Sequence, residues 1–114
     1  MANKLCHFEI TSDNLARSAE FYAKLFGWES KPWGEQYMMF SVKDGLGGGF
    51  MLRDEKMPDI TLYIEVEDID TKLNEITAEG CQVLVPKTLI SEQVGYFALF
   101  KDPSGIVIGL FAEK

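Results

Sequence analysis

The chain has 114 residues, of which 46% are hydrophobic and 25% are charged, and its formal net charge is −7. This length predicts a single domain over residues 1–114, with enough apolar material for a core. The acidic balance disfavours nucleic acid, and no such partner is expected, because phosphate binding needs a basic surface. No apolar run is long enough to span a membrane. Neither cysteine has metal-ligand spacing, so we expect buried free thiols and a cytoplasmic protein.

The first predicted strand covers residues 4–11 and carries the only histidine of the chain. Its residue types alternate with the period of a half-buried strand. The face predicted to enter the core holds Cys6, Phe8 and Ile10. The other face presents His7 and Glu9, and it either is exposed to solvent or lines a cavity.

A helix is predicted next, because residues 11–14 offer N-cap side chains and apolar residues then recur at helical spacing up to Gly27. The pattern continues with a short strand over 28–31, a turn over 32–34, and strands over 36–42 and 47–52. Asp44-Gly45 is a hairpin signal between the last two strands. The glycines at 47–49 indicate a bulge or a close backbone approach. Residues 53–59 are polar and are predicted to form a linker.

The second half of the chain repeats the first. It predicts a strand over 60–66, a helix that begins at Asp68 and ends at Gly80, and a short strand over 81–85. A loop over 86–93, a strand over 95–101, a turn over 102–105 and a last strand over 106–111 follow. The chain is therefore predicted to contain two βαβββ modules, at about 4–53 and 59–112, and this duplication aligns His7 with Thr61.

These residues resemble the vicinal oxygen chelate superfamily, which includes glyoxalase I, the bleomycin-resistance proteins and the extradiol dioxygenases. The matching segments are residues 7–10, 14–22, 25–28, 66–70, 83–87, 100–105 and 109–110. The resemblance implies an α+β fold in which two tandem βαβββ modules form a curled mixed sheet around a cleft. It also implies a homodimer.

The resemblance bears on metal binding, since metal-dependent members take ligands from the first and last strands of each module. On this basis His7 matches the first of four ligand positions. The other three ligand positions fall near residues 50–52, at Thr61 and at Gly109. A divalent ion needs three or more protein donors to compete with water, and these positions offer no carboxylate or second imidazole. We therefore expect an incomplete site that retains His7 only. A divalent metal is disfavoured, and no cofactor is expected.

His7, Glu9 and Glu65 are the candidate catalytic residues. By the repeat, Glu65 is expected to face the same cleft as Glu9. One imidazole and two carboxylates would then be available in this cleft for acid–base chemistry. The alternative is that both glutamates are solvated at the rim of the cleft or pair with an arginine or a lysine.

Aromatic and methionine residues are frequent in the strands expected to form the cleft, and those that face it are candidates for an apolar ligand pocket. The candidate ligand-binding residues are Trp33, Tyr37, Phe50, Thr61, Tyr63, Tyr96 and Gly109. Trp33 lies in a Pro/Gly loop, and the loop over 86–93 is a second candidate lid.

Three functions are consistent with this sequence. The first is a protein that binds a small organic molecule in an apolar, acidic cleft without an intact metal site, and the net charge favours a cationic ligand. The second is a lyase or isomerase of the glyoxalase I type that acts next to a carbonyl, through a metal held by His7 or through His7 and Glu9 alone. The third is a non-catalytic partner protein whose exposed strand edges pair with another subunit. Whether the chain is an enzyme stays open at this stage.

Overall fold

A computed structural model of the chain describes residues 2–114. These residues divide into two compact units, one formed by residues 7–61 and the other by residues 2–6 together with 62–114. We call them the first and the second unit. Each contains one helix and a four-stranded mixed sheet. The prediction of an α+β fold with two tandem βαβββ modules is therefore confirmed. Neither helix within residues 2–114 is long and apolar enough to cross a membrane.

The first unit follows the order strand, helix and three strands. Its elements are β1 (Leu5–Ser12), α1 (Leu15–Phe26), β2 (Glu29–Pro32), β3 (Tyr37–Ser41) and β4 (Gly48–Leu52). The first two residues of β1 belong to the second unit. The strand order is β2-β3-β4-β1, in which β1 and β4 are parallel and the other neighbours are antiparallel.

Helix α1 begins and ends at the residues that the sequence predicts. The Asn14 side chain accepts a hydrogen bond from the Arg17 backbone N–H at 3.0 Å, which satisfies one of the unpaired donors of the first turn. Gly27 adopts the left-handed conformation with φ of 75°, and its N–H donates to the Ala23 carbonyl. Gly27 suits this position because it has no Cβ to clash there.

An aromatic cluster forms the core of the first unit. Trp28 stacks against Tyr22 of the helix and against Phe40 of β3, with ring centroids 4.8 Å and 4.6 Å apart. Phe40 and Phe50 lie 4.8 Å apart, and Phe8 meets Phe40 edge to face. The side chains at positions 8, 40 and 50 therefore point toward α1.

The β3–β4 hairpin confirms the predicted turn and the close backbone approach at the glycines. Asp44 has a positive φ of 59°, which Asp tolerates better than most residues. A Cβ at Gly48 would lie 2.1 Å from the Phe8 carbonyl oxygen. Only glycine therefore lets β4 pass this close to β1.

The segment over residues 53–59, which follows β4, is held to the first unit by Arg53. Its guanidinium contacts Asp13 at 2.8 Å and Asp59 at 2.6 Å, and its backbone N–H donates to the Ser12 carbonyl. The hydrogen bonds to both carboxylates raise the pKa of Arg53. The predicted linker is thus tied to the end of β1, and its first and last residues are tied to each other.

The second unit repeats the architecture. Its elements are β5 (Ile60–Glu65), α2 (Ile69–Ala78), β6 (Val83–Ser91), β7 (Gly95–Lys101) and β8 (Val107–Ala112), and the first two residues of β5 belong to the first unit. The strand order is β5-β8-β7-β6, with β5 and β8 parallel. Asp68 caps α2 by accepting from the Thr71 N–H at 3.1 Å.

Aliphatic residues form the core of the second unit beneath α2. Its buried members are Val66, Ile69, Leu73, Ala98, Leu110 and Ala112. Ile64 packs against this cluster, as the alternation of β5 predicts. Leu62, which lies on the same face of β5 by this alternation, is instead 39% exposed.

The predicted loop over residues 86–93 is wrong, because β6 continues through Pro86 to Ser91. β6 pairs with β7 through several shifts of register. The residue types of this segment do not alternate regularly, so the sequence did not indicate a strand here. Pro86 is exposed and β6 is the last strand in the order of its sheet, where a missing N–H is tolerated. Residues 86–91 are therefore a sheet edge and not a lid.

Candidate functional site

The face of the first sheet that points away from α1 carries the candidate residues of β1. Since Phe8, Phe40 and Phe50 face the helix, strand alternation places their neighbours on the opposite face. We call this the helix-free face of the first unit. It holds His7, Glu9, Tyr37, Met39, Gly49 and Met51, of which Gly49 is buried and the others are half-buried.

His7 and Tyr37 form the central contact of this face. The Tyr37 hydroxyl lies 2.8 Å from Nε2 of His7. The ring planes differ by 15° and the ring centroids are 6.5 Å apart. A centroid distance this long, combined with the short contact between the two tips, places the rings end to end rather than face to face.

Gly49 makes this contact sterically possible. A Cβ at position 49 would lie 2.0 Å from the Tyr37 oxygen and 2.1 Å from Cζ of the same ring. The tyrosine side chain thus crosses the bare backbone of β4 on its way to His7. His7, Tyr37 and Gly49 come from three different strands, and the order β3-β4-β1 brings them together.

Burial lowers the pKa of His7 below its ordinary value of 6.5. The cause is desolvation, which penalises the charged imidazolium more than the neutral ring. His7 is therefore neutral near physiological pH. A neutral imidazole offers one hydrogen-bond donor and one acceptor, so it is able to orient a polar ligand or to move a proton.

Glu9 and two methionines complete the helix-free face. Glu9 is the register partner of Gly49, and Met51 is the partner of Tyr37. Met39 and Met51 were not among the predicted site residues. Each methionine is adjacent in sequence to a phenylalanine, Met39 to Phe40 and Met51 to Phe50. Once it is known that the phenylalanines face the helix, strand alternation places the methionines on the opposite face.

Glu65 lies in the second unit and has local partners. Its carboxylate is 3.7 Å from the Lys4 ammonium, and its backbone N–H donates to the Lys4 carbonyl. Asn3 donates its side-chain amide to the Glu65 carbonyl at 3.0 Å. These contacts match the predicted alternative in which this glutamate pairs with a lysine.

Tyr63 and Gly109 also lie in the second unit, directly opposite each other in the parallel pair of β5 and β8. A Cβ at Gly109 would lie 2.3 Å from Cδ2 of the Tyr63 ring. Tyr63 as a whole is 7% exposed. It therefore fills the space in which a longer side chain at position 109 would project.

Two predicted ligand-binding residues pack into or against a core instead. Phe50 is 0% exposed and packs in the aromatic cluster, because the alternation of side chains along β4 points it toward α1. Tyr96 packs against the aliphatic core of the second unit, with the Lys87 ammonium 4.5 Å from its ring centroid. The alternate residues Phe97 and Leu99 take the other face. Both alternating sets of positions in residues 95–100 are apolar. The sequence therefore could not show which set faces the core.

The remaining ligand-binding candidates differ in exposure. Thr61 is 2% exposed, whereas Trp33 is 45% exposed. The Trp33 backbone N–H donates to the Tyr37 carbonyl at 2.9 Å, which fixes the start of β3 beside this loop. Trp33 is thus brought close to Tyr37 along the backbone.

A separate groove lies between α1 and β2 in the first unit. Its volume is about 460 Å³, and its lining includes Ala19, Ala23, Trp28 and Ser30. The Ser30 hydroxyl is buried and has no hydrogen-bond partner among the described residues. None of the predicted site residues lines this groove.

The side chains present do not fit the metal centre that the superfamily resemblance implies. Within residues 2–114, no three His, Cys, Asp or Glu side chains are grouped so that they could hold a metal ion. Nε2 of His7 already contacts a hydroxyl, and the space at Gly109 is filled by Tyr63. A divalent ion would therefore lack the donors that a stable protein site needs.

Comparison with known families agrees with this fold. Residues 4–110 match the family described as the glyoxalase/bleomycin resistance protein/dioxygenase superfamily. The chain belongs to this superfamily. Membership covers nearly the whole chain but spans several reactions, so it does not select one of them.

Two curated relatives have similar sequences at moderate identity. The anthracycline biosynthesis protein DauV of Streptomyces sp. strain C5 is 29% identical over 93% of this chain and 46% of that protein. CFP32 of Mycobacterium tuberculosis, which is named as a glyoxylase, is 29% identical over 89% of this chain and 42% of that protein. The chain thus spans less than half the length of each of these relatives.

Solved structures show the same fold at low sequence identity. Hypothetical protein BH1468 of Bacillus halodurans C-125 has a TM-score of 0.78 and 15% identity, covering 100% of this chain and 96% of that one. Methylmalonyl-CoA epimerase of Mycobacterium tuberculosis has a TM-score of 0.72 and 14% identity, covering 96% and 87%. At such identities the likeness concerns the fold alone.

Proposed function

We propose that this chain is a glyoxalase-like protein that binds a small organic molecule on the helix-free face of its first unit, without a metal. The main observation in support is the end-to-end contact of the two rings, in which Nε2 of His7 lies 2.8 Å from the Tyr37 hydroxyl. This polar pair lies among the half-buried side chains of Met39 and Met51. Ligand sites commonly combine a few oriented polar groups with an apolar lining of this kind.

The charge of the protein favours a cationic ligand. The chain carries a formal net charge of −7, and Glu9 adds a carboxylate to the helix-free face. A negative surface raises the local concentration of cations and their rate of association. DauV, the relative in anthracycline biosynthesis, further supports a search among organic molecules with aromatic rings.

A thermal-shift screen tests the proposal with cationic, neutral and anionic aromatic compounds. A compound at a hundred times its Kd is expected to raise the free energy of unfolding by about 2.7 kcal/mol. Chelator should leave the shift unchanged, and titration with Zn²⁺ or Mn²⁺ should show no stoichiometric site. If no compound in any class raises the melting temperature, the proposal fails.

Two glutamate variants distinguish a specific effect of the Glu9 carboxylate from the effect of the net charge of the protein. Glu9→Gln is expected to weaken binding of a cationic compound, whereas Glu55→Gln removes the same charge from the exposed segment before β5 and should not. His7→Ala should abolish binding. Equal losses in the Glu9 and Glu55 variants would instead indicate attraction by net charge alone.

A glyoxalase-like lyase is the second candidate function, favoured by the similarity to CFP32 and by the neutral His7 imidazole. In this case His7 or Glu9 would move a proton next to a substrate carbonyl. The test is an assay with the hemithioacetal of methylglyoxal and glutathione. Turnover that disappears in a folded His7→Ala variant would support a lyase, and no turnover would leave binding as the function.

We further propose that the protein is a cytoplasmic homodimer. Both cysteines are free, as expected in a reducing compartment. Two copies of the chain would come close to the length of the curated relatives, each of which it covers by less than half. Sedimentation equilibrium at micromolar concentration should give twice the monomer mass. A monomer at all concentrations would refute the dimer.

A further inference from the structure

We infer that two copies of this chain pair through the outer edge of β2, antiparallel and centred on Ser30, so that Glu29 of each copy lies opposite Lys31 of the other. This interface, which rests on the homodimer proposed above, specifies where the second copy binds. β2 is the first strand in the order β2-β3-β4-β1. Within residues 2–114, its outer side therefore has no neighbouring strand.

The backbone of Ser30 points toward this open edge. Trp33 and Tyr37 form a hydrogen-bonded pair beside the end of β2, because the Trp33 N–H donates to the Tyr37 carbonyl at 2.9 Å. Hydrogen-bonded and non-hydrogen-bonded pairs alternate along antiparallel strands. Ser30 and Phe40, which are register partners, therefore form a non-hydrogen-bonded pair. The N–H and the carbonyl of Ser30 accordingly point away from β3, where an added strand would meet them.

The neighbouring outward-facing positions determine the register of the pairing. Pro32 has no N–H, and the Trp28 N–H already donates to the Tyr22 carbonyl at 3.3 Å. Of residues 28, 30 and 32, Ser30 is thus the one that offers both a donor and an acceptor to a new strand. Two copies related by a two-fold axis at Ser30 would exchange two N–H···O bonds between these residues.

This register also brings opposite charges together. Glu29 and Lys31 are both exposed, and neither forms an ion pair within the described part of the chain. Their register partners in β3 are the uncharged Ser41 and Met39. Across the two-fold axis Glu29 would face Lys31 of the second copy, and the same contact would occur twice. Opposite charges stabilise directly facing strand positions, so a second copy is the occupant that suits this edge.

The groove between α1 and β2 leaves room for the second copy. Ser30 faces α1, because its register partner Phe40 belongs to the aromatic core. The wall that α1 presents there includes the small residues Ala19 and Ala23, and the groove has a volume of about 460 Å³. Glu20 also lines the groove but is exposed, so its carboxylate can stay in water. The side chains that an added strand turns toward α1 would enter this groove.

Charge reversal tests the interface by sedimentation equilibrium. Glu29→Lys and Lys31→Glu should each raise the Kd of the dimer by about tenfold or more, because two attractive contacts become repulsive. The double variant restores the attraction and should return the Kd to near the wild-type value. Glu55→Lys, with the same change of charge at an exposed position outside β2, should not weaken the dimer. Glu29→Lys also makes the net charge less negative, so an effect of net charge alone would strengthen association.

A cysteine at the two-fold axis tests the register. The Cα atoms of a hydrogen-bonded antiparallel pair lie about 5.5 Å apart, a distance that a disulfide spans. With oxidised glutathione as oxidant, Ser30→Cys should form a covalent dimer on a non-reducing gel, and Lys43→Cys and the wild type should not. Lack of this cross-link, or a dimer that both single charge reversals leave at wild-type affinity, would overturn the interface and leave the homodimer standing. A wild type that stays monomeric would refute both.

Discussion

Gly109 lies directly opposite Tyr63 in the parallel pair of β5 and β8, and the tyrosine ring occupies the space in which a side chain at position 109 would project. The first unit contains a similar arrangement, in which the Tyr37 ring crosses Gly49. Each unit therefore places a tyrosine over a glycine of its last strand. The two glycines are equivalent in the repeat, since Gly49 pairs with Glu9 and Gly109 with Tyr63, but the tyrosines come from different strands, β3 in the first unit and β5 in the second.

The first prediction concerns the fit of Tyr63 over Gly109. Gly109→Ala would put a methyl group 2.3 Å from the ring, and we expect a loss of about 1–3 kcal/mol in the free energy of unfolding. Urea denaturation measures the loss. In a Tyr63→Leu background the same substitution should cost clearly less, since the two effects are coupled. Equal costs in both backgrounds would show that the ring is not the obstacle.

The second prediction concerns the pH dependence of stability. In the unfolded chain His7 titrates near 6.5, and in the folded chain burial lowers its pKa. Between these values the unfolded state binds more protons, so stability is full above pH 6.5 and falls as the pH drops toward the folded pKa.

The matched variant for this prediction is His7→Gln, which keeps a polar side chain but does not titrate. Denaturant unfolding of both proteins over this pH range should show a steeper loss on acidification in the wild type. Carboxylates contribute equally to both proteins and cancel in the comparison. Parallel curves would mean that His7 has the same pKa in both states.

The third prediction separates core residues from residues of the helix-free face. Phe50→Ala should cost about 3–5 kcal/mol of unfolding free energy, because a fully buried ring leaves a cavity in the aromatic cluster. Met51→Ala, at a half-buried neighbouring position, should cost less and instead weaken binding of a compound found in the thermal-shift screen. A larger stability loss in Met51→Ala than in Phe50→Ala would contradict the assignment of the two faces.

The fourth prediction is a substitution that raises the free energy of unfolding. The buried Ser30 hydroxyl has no hydrogen-bond partner among the described residues, so Ser30→Ala should remove an unpaired polar group. We expect stability to rise by about 1 kcal/mol, near the lower end of the cost of such a group. Chemical denaturation measures the change. Loss of stability in Ser30→Ala would indicate that a water molecule satisfies this hydroxyl from the groove beside α1.

Most of the fold could be predicted from local signals. Asn14 and Gly27 bound α1, Asp68 begins α2, and the glycine at 48 allows β4 to approach β1, each for a reason that acts within a few residues or on the backbone. The strand β6 could not be predicted in the same way. Its length depends on pairing with β7 through shifted register, and Pro86 is acceptable only because that strand lies at an edge.

The candidate site shows the same division. Alternation along β1 was sufficient to place His7 and Glu9 on one face, and the resemblance to the superfamily named the fold. Only the tertiary structure showed that Tyr37 reaches His7, that Phe50 faces the helix, and that Glu65 pairs with Lys4. The reason is physical: alternation assigns residues to two faces, but the packing of the helix decides which face becomes core. The meeting of side chains from β1, β3 and β4 depends in turn on strand order and register, which no single stretch of the sequence contains.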